Sequence, residues 1–64
     1  MIDDADPLLL RPEKAAELLS IGRTKVYALM RSGALRSVRV GGLRRIPRSA
    51  LIEFVTHLEE ENAA

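Results

Sequence analysis

The sequence of 64 residues predicts a small, mainly helical domain with three α-helices and one small two-stranded β-hairpin. Three observations support this fold class. Two short apolar stripes with helical spacing are separated by only three residues, a Gly-Gly pair divides two short strand-like segments, and a third helical stripe follows them. A chain of this length forms one domain, and we expect it to bury only about 60% of its surface.

The first two helices are expected at residues 12–19 and 23–32. Pro12 suits the first turn of a helix, and Gly33 suits the left-handed position that ends one. Seven apolar residues form the stripes of the two helices: Ala15, Ala16, Leu18, Leu19, Val26, Leu29 and Met30. Because the connection is so short and Ile21 is available to fill the angle, the pair predicts a helix-turn-helix. An ordinary helical hairpin is the alternative, which the basic second helix disfavours.

Strands are expected on both sides of this motif. Before helix 1, the apolar residues 8–10 predict a brief strand or an anchored extended segment. After helix 2, residues 37–40 and 43–46 flank Gly41 and Gly42, a pair typical of a tight hairpin turn. The expected wing has two strands, and the predicted fold is therefore a winged helix-turn-helix.

A third helix is expected from near Ser49 to about Glu60, with its apolar face closing the core against the first two helices. Four residues form that face: Leu51, Phe54, Val55 and Leu58. The domain is expected to span residues 8–61. A disordered acidic tail is expected at residues 1–7, and a short C-terminal tail at residues 62–64.

The central part of the chain is strongly basic. Between Leu18 and Ile52 it contains no Asp or Glu, and all nine acidic residues lie outside this window. Eight basic residues lie inside it: Arg23, Lys25, Arg31, Arg36, Arg39, Arg44, Arg45 and Arg48. Because phosphate neutralisation requires Lys and Arg without repelling carboxylates, this pattern predicts a nucleic-acid surface. The alternative, a solvated charged face, is disfavoured by the complete absence of acids.

Helix 2 supplies the first set of candidate DNA-binding residues: Arg23, Thr24, Lys25, Tyr27, Ala28 and Arg31. At about 100° per residue, Thr24 and the last three of these lie opposite the apolar stripe. Arg23 and Lys25 flank this face near the helix N-terminus, where cations and backbone amides can meet phosphates. Arg31 is the best candidate for a base contact, because a guanidinium pairs bidentately with guanine O6 and N7. Tyr27 either packs its ring on the core or forms a hydrogen bond with phosphate.

The wing supplies the second set: Arg39, Gly41, Gly42, Arg44 and Arg45. Its glycines allow close approach to a duplex backbone or minor groove. Because successive strand residues point to opposite faces, Arg44 and Arg45 are not expected to serve the same contact. One of them is expected to reach the minor groove, and the other to be solvated or paired with a tail carboxylate. For Arg36 and Arg48, solvation is at least as good an interpretation as DNA contact.

Several function classes are disfavoured by composition. The chain has no cysteine and a single histidine, His57, so we expect no metal site and no cofactor. Neither a nucleophile with its base nor a phosphate-binding loop is apparent, so we expect no catalytic residues, no enzyme activity and no small-molecule ligand. No apolar run approaches 18 residues, so we expect no secretion signal and no membrane partner. We expect a cytoplasmic, nucleoid-associated protein of bacterial, phage or mobile-element type.

Four segments of the chain resemble a known family. They are residues 12–19, 21–27, 32–35 and 38–49, with the sequences PEKAAELL, IGRTKVY, SGAL and VRVGGLRRIPRS. In order and spacing they are similar to the excisionase-like winged helix-turn-helix, a relative of the MerR DNA-binding domain, over about residues 8–58. The resemblance implies double-stranded DNA as the partner, helix 2 in the major groove and the wing on the adjacent minor groove or backbone. It also implies cooperative self-association or dimers on repeated sites.

Two positions depart from the family. Arg11 stands where such domains often place Thr or Ser, so helix 1 lacks a side-chain cap and its first turn is expected to fray. Ala28 replaces a frequent basic residue after the Val-Tyr pair, which shifts the expected base contacts toward Thr24 and Arg31.

Three uses of such a domain are open at this point. Excisionases bend attachment-site DNA and help a tyrosine recombinase, the integrase, whereas other members are transcription regulators. We expect an excisionase, because most MerR-type activators append a coiled coil and an effector region, and residues 59–62 are followed by neither. A protein-interaction module without DNA binding, using Ile52, Glu53 and residues 59–61, is the third hypothesis.

Overall fold

The computed structural model describes residues 7–63, so residues 1–6 of the expected acidic tail lie outside the described part. Six elements follow one another along the chain: β1 (Leu9–Leu10), α1 (Pro12–Leu19), α2 (Arg23–Ser32), β2 (Val38–Val40), β3 (Leu43–Pro47) and α3 (Arg48–Asn62). Three helices with a small antiparallel sheet confirm the predicted winged helix-turn-helix.

Both helices of the helix-turn-helix have the predicted bounds. α1 begins behind an extended Arg11 that makes no side-chain cap, and it ends at Ser20 in the left-handed conformation, with φ 58° and ψ 41°. The backbone N–H groups of Ser20 and Ile21 donate to the carbonyls of Glu17 and Ala16, at 3.2 and 3.0 Å. This pair of hydrogen bonds is a Schellman motif, which satisfies carbonyls at the helix end and turns the chain toward α2.

The sheet has three antiparallel strands in the order β1–β3–β2, so the two-stranded wing is extended by one strand. Two residue pairs form the β1–β3 ladder: Leu9 with Pro47 and Leu10 with Ile46. The Arg48 N–H adds a 2.9 Å hydrogen bond to the Leu8 carbonyl. The apolar run before α1 is therefore the predicted brief strand, but its partner is a distant strand that local sequence does not identify.

The wing is a tight hairpin of β2 and β3. Val40 lies opposite Leu43, and only Gly41 and Gly42 connect them. Gly41 has a φ of +61°, whereas Gly42 has no positive φ. Positive φ at the first central position alone is the pattern of a type II′ turn, which matches the twist of paired strands.

One core holds all three helices against the sheet. Nine buried residues form it: Leu10, Ala15, Ala16, Val26, Met30, Leu35, Ile46, Ala50 and Leu51. Leu35, which follows α2 and is completely buried, was not among the predicted core residues. Its backbone N–H donates to the Leu29 carbonyl at 3.1 Å, which folds the chain back across the end of α2. Within residues 7–63, no polar or charged side chain is buried.

Three apolar residues expected in the core are instead exposed. The exposed fractions are 55% for Leu18, 39% for Val55 and 41% for Leu58. α3 packs mainly on β3 and buries Ala50 and Leu51, with Phe54 partly buried against the core. It also continues to Asn62, two residues beyond its expected end and into the predicted C-terminal tail. Helical spacing identifies an apolar face, but it does not determine which residues of that face another element covers.

Candidate nucleic-acid interface

The N-terminal end of α2 is basic and uncapped. Gly22, which precedes it, is extended (φ −74°, ψ 157°), and no side chain caps the helix. Arg23 and Lys25 are exposed in the first turn, which contains no acid. Because the first N–H groups of a helix lack internal partners and carry partial positive charge, this end can attract an anion such as phosphate.

The face of α2 that the sequence predicts to contact DNA is largely exposed. Thr24, Tyr27 and Arg31 are exposed, whereas Ala28 is half-buried. The opposite face packs on or into the core: Val26, Leu29 and Met30. The helical wheel therefore separates the two faces correctly, and Ala28 offers less surface to a ligand than its three neighbours do.

Tyr27 is connected to α1 through its hydroxyl group. Tyr27 is 40% exposed, and its hydroxyl donates a 2.8 Å hydrogen bond to Glu13 Oε2. This hydrogen bond is the main cause of two pKa shifts, because it lowers the pKa of Glu13 and raises the pKa of Tyr27. Arg23 and Arg11 lower the pKa of Glu13 further by their positive charge. Sequence reasoning missed this contact, since Glu13 had no assigned partner.

The three wing arginines divide between the two faces of the sheet. Arg39 lies opposite Arg44, and Arg45 lies opposite Val38. Because strand residues alternate, Arg39 and Arg44 share one face and Arg45 lies on the other. Arg44 Nη2 donates to Ser37 Oγ at 2.8 Å, whereas Arg45 Nη1 donates to the Arg44 carbonyl at 2.9 Å. Within the described part of the chain, neither guanidinium pairs with a carboxylate.

The tip of the wing is open. Gly41 and Gly42 are exposed, and a Cβ atom built at either position would meet no heavy atom within 4 Å. Within the described part of the chain, no other residue covers this turn.

Arg36, by contrast, is engaged by α3. Its Nη2 lies 3.2 Å from both Glu53 Oε2 and Ser49 Oγ, and its Nε donates to Glu53 Oε1 at 3.4 Å. A guanidinium and carboxylate joined in this way largely neutralise each other. Arg36 therefore connects the segment before β2 to α3, and Glu53 has an intramolecular partner. The half-buried Arg48 is the first residue of α3.

The remaining polar side chains of α3 do not gather into a metal site. His57 is exposed, and its Nδ1 lies 3.9 Å from a carboxylate oxygen of Glu60. Across residues 7–63, no three His, Cys, Asp or Glu side chains are grouped so that they could hold a metal ion. None of the helices described here has the length and apolar character needed to cross a membrane.

Comparison with known proteins identifies the motif. Residues 9–58 match a family of helix-turn-helix domains. A probable excisionase of Saccharopolyspora erythraea is 49% identical over 57 residues, which are 89% of this chain and 58% of that protein. An excisionase of Streptomyces ambofaciens is 44% identical over 48 residues, which are 75% of this chain and 76% of that protein. No solved structure matches the chain significantly.

These matches cover the same part of the molecule as the geometry described above. The helix-turn-helix match begins at β1 and continues through the wing into α3. The alignment with the Saccharopolyspora protein spans little more than half of that protein's length, whereas the alignment with the Streptomyces protein spans three quarters. The chain belongs to the family of excisionase-like helix-turn-helix domains.

Proposed function

We propose that this protein is a DNA-binding excisionase, an architectural protein that binds specific double-stranded sites, bends attachment-site DNA and assists a tyrosine recombinase. The observation that carries the proposal is the exposed face of α2, a helix that contains no acidic residue, within a helix-turn-helix similar to a probable excisionase and an excisionase. The role is structural rather than catalytic, and the protein acts at the nucleoid, in the cytoplasm.

The recognition step uses α2 in the major groove. A groove of this width admits one helix, and the exposed face of α2 then meets the base edges. Arg23 and Lys25 bind phosphates beside the helix N-terminus and position the protein. Arg31 reads guanine through a bidentate contact, and Thr24 contacts a neighbouring base edge. Ala28, which is half-buried, provides clearance or a contact with a thymine methyl group.

The wing extends the contact to the adjacent minor groove or backbone. Arg39 and Arg44 are both exposed and lie on the same face, so they can contact one stretch of DNA together. Arg45 is half-buried and folds back on the Arg44 carbonyl, which makes it the weaker candidate. The open Gly41-Gly42 turn lets this hairpin approach the duplex closely.

Assembly on DNA supplies the affinity that one small domain lacks. A single module of this size contacts a limited part of the duplex, and high specific affinity usually requires a larger interface. Several copies on adjacent sites, or one copy beside the integrase, enlarge that interface. The proposal therefore includes cooperative self-association on repeated sites and integrase as the protein partner.

The central experiment measures affinity for duplex DNA as salt increases. If each protomer neutralises roughly 3 to 5 phosphates, the plot of log affinity against log salt has a slope of about −3 to −5 per protomer. Fluorescence anisotropy with a labelled duplex measures this slope, and a slope near zero would refute DNA binding. Circular-permutation gel shifts then test bending. Binding without bending favours a simple transcription regulator over an excisionase.

A further inference from the structure

The hydroxyl of Tyr27 has a restricted hydrogen-bonding role. A phenol has one hydrogen to donate, and that hydrogen is directed to Glu13 at 2.8 Å. The lone pairs of the oxygen remain available, and the residue is 40% exposed. Because a carboxylate acceptor polarises the O–H bond, it also makes the phenol oxygen a better acceptor. Tyr27 is therefore prepared to accept a hydrogen bond from a ligand and not to donate one.

The position of Tyr27 places this acceptor at the edge of the proposed reading face, on the side of α1. Thr24 precedes it by three residues and Arg31 follows it by four, so the three side chains are neighbours on one face of the helix. Thr24 and Arg31 are exposed there as well. If α2 lies in the major groove with these two side chains toward the bases, the exposed hydroxyl of Tyr27 approaches a base edge from the side of α1.

Major-groove base edges differ in the hydrogen bonds they can supply. Adenine and cytosine present an exocyclic amine, which donates, whereas guanine O6 and thymine O4 only accept. A hydroxyl that can only accept forms a hydrogen bond with the amine of adenine or cytosine. It repels guanine O6 and thymine O4, which are also acceptors. Phosphate oxygens also only accept, and the negative charge of Glu13 disfavours them further.

We propose that Glu13 is a positioning residue that makes the Tyr27 hydroxyl a hydrogen-bond acceptor, which selects the exocyclic amine of an adenine or cytosine at one position of the DNA site. The inference rests on the proposed DNA-binding function and adds the class of base that Tyr27 reads at the edge of α2. It also explains an acidic residue beside a basic surface. The positive charges of Arg23 and Arg11 act on Glu13, and they limit the repulsion between its carboxylate and the DNA phosphates.

The protonation states needed for this role hold at neutral pH. The same hydrogen bond lowers the pKa of Glu13 and raises the pKa of Tyr27. At a pH between these two pKa values, Glu13 is ionised and Tyr27 is protonated. In this combination the hydroxyl hydrogen points to the carboxylate.

The test begins with selection of duplexes from a randomised double-stranded DNA library. The wild type and four variants are compared: Tyr27→Phe, Glu13→Ala, Glu13→Gln and Glu17→Ala. We expect one base-pair position to prefer adenine or cytosine in the wild type and to lose that preference in Tyr27→Phe and Glu13→Ala. Glu13→Gln retains it, because the amide carbonyl still accepts from the hydroxyl. Glu17→Ala also retains it, because it removes a carboxylate from the same helix without touching Tyr27.

Deletion of single amines from the selected duplex gives the second measurement. Purine replaces each adenine in turn, and 2-pyrimidinone replaces each cytosine. Loss of the contacted amine is expected to weaken wild-type binding about fivefold, the effect of one hydrogen bond, and to change binding of Tyr27→Phe by less than about twofold. All variants should retain the wild-type circular dichroism spectrum, since neither Tyr27 nor Glu13 is buried.

The outcomes separate the two proposals. If deletion of each amine lowers the affinity of the wild type and of Tyr27→Phe equally, the role of Tyr27 is overturned while DNA binding stands. Unchanged base preference in Glu13→Ala would overturn the role of Glu13. Failure of the wild type to enrich any duplex would instead reject the proposed function itself.

Discussion

Leu10 lies directly opposite Ile46 in the β1–β3 ladder, and both side chains are almost completely buried, with exposed fractions of 2% and 0%. The two residues are far apart in sequence, with the helix-turn-helix and the first strand of the wing between them. Their pairing connects the segment before α1 to the wing. The helices and the sheet therefore share one core.

Replacement of Leu10 by alanine is expected to destabilise the protein by about 2–5 kcal/mol, because it removes buried methyl groups and leaves a cavity. Urea unfolding followed by circular dichroism measures the change. Leu9→Ala is the matched control, since Leu9 is in the same strand but 40% exposed, and it should cost less than about 1 kcal/mol. Similar losses in both variants would contradict the burial of Leu10.

Substitutions at the two left-handed helix ends should have opposite effects on stability. Ser20 has a φ of 58° at the end of α1, where glycine avoids the steric cost of a Cβ. Ser20→Gly should therefore raise the free energy of unfolding by roughly 0.5–1 kcal/mol. Gly33 has a φ of +84° with open space around it, so Gly33→Ala should cost about 1 kcal/mol from backbone strain alone. Thermal unfolding of both variants tests the pair, and destabilisation by Ser20→Gly would disprove the left-handed assignment.

The hydrogen bond between Glu13 and Tyr27 predicts a defined pH window. It requires ionised Glu13 and protonated Tyr27, so its contribution to stability is lost as pH falls through the lowered pKa of Glu13. It is lost again as pH rises through the raised pKa of Tyr27. Tyr27 is the only tyrosine, so its ultraviolet absorbance reports its titration directly. Glu13→Ala should lower that pKa toward the ordinary value of about 10, and an unchanged pKa would show that the contact is absent in solution.

Arg31 and Lys25 should differ in what they contribute to DNA binding. Arg31→Ala is expected to reduce discrimination between cognate and scrambled duplexes by on the order of 1–3 kcal/mol, as for loss of a bidentate guanine contact. Lys25→Ala should lower the affinity for both duplexes about equally, because a phosphate contact carries no sequence information. Anisotropy titrations on the two duplexes distinguish these cases. Equal weakening by Arg31→Ala would assign that residue to the DNA backbone.

The wing should contribute affinity without contributing to the core. Replacement of Arg44 and Arg45 together by alanine is expected to weaken binding at a single site and to leave thermal stability nearly unchanged. Arg44→Ala alone should account for most of the loss, because Arg44 shares its face with Arg39. Arg36→Ala is the control, since Arg36 pairs with Glu53 on α3, and it should leave affinity unchanged. Full affinity in the double variant would remove the wing from the interface.

Local sequence was sufficient wherever neighbouring residues decide the structure. The bounds of α1 and α2 were predicted correctly, because apolar spacing, Pro12 and Gly33 act within one or two helical turns. The hairpin at Gly41 and Gly42 was also predicted correctly, because a two-residue turn depends on its own backbone conformation. The outward face of α2 followed from helical geometry alone.

Tertiary contacts decided the features that depend on distant partners. Leu35 is buried and Leu18 is exposed because burial depends on what other elements cover, which spacing along one helix does not specify. The pairing of β1 with β3 likewise requires a strand far away in sequence. The contacts of Tyr27 with Glu13 and of Arg36 with Glu53 arise in the same way. Charge and periodicity thus located the basic surface, and the packing of α1 and α3 determined which of its side chains already have partners.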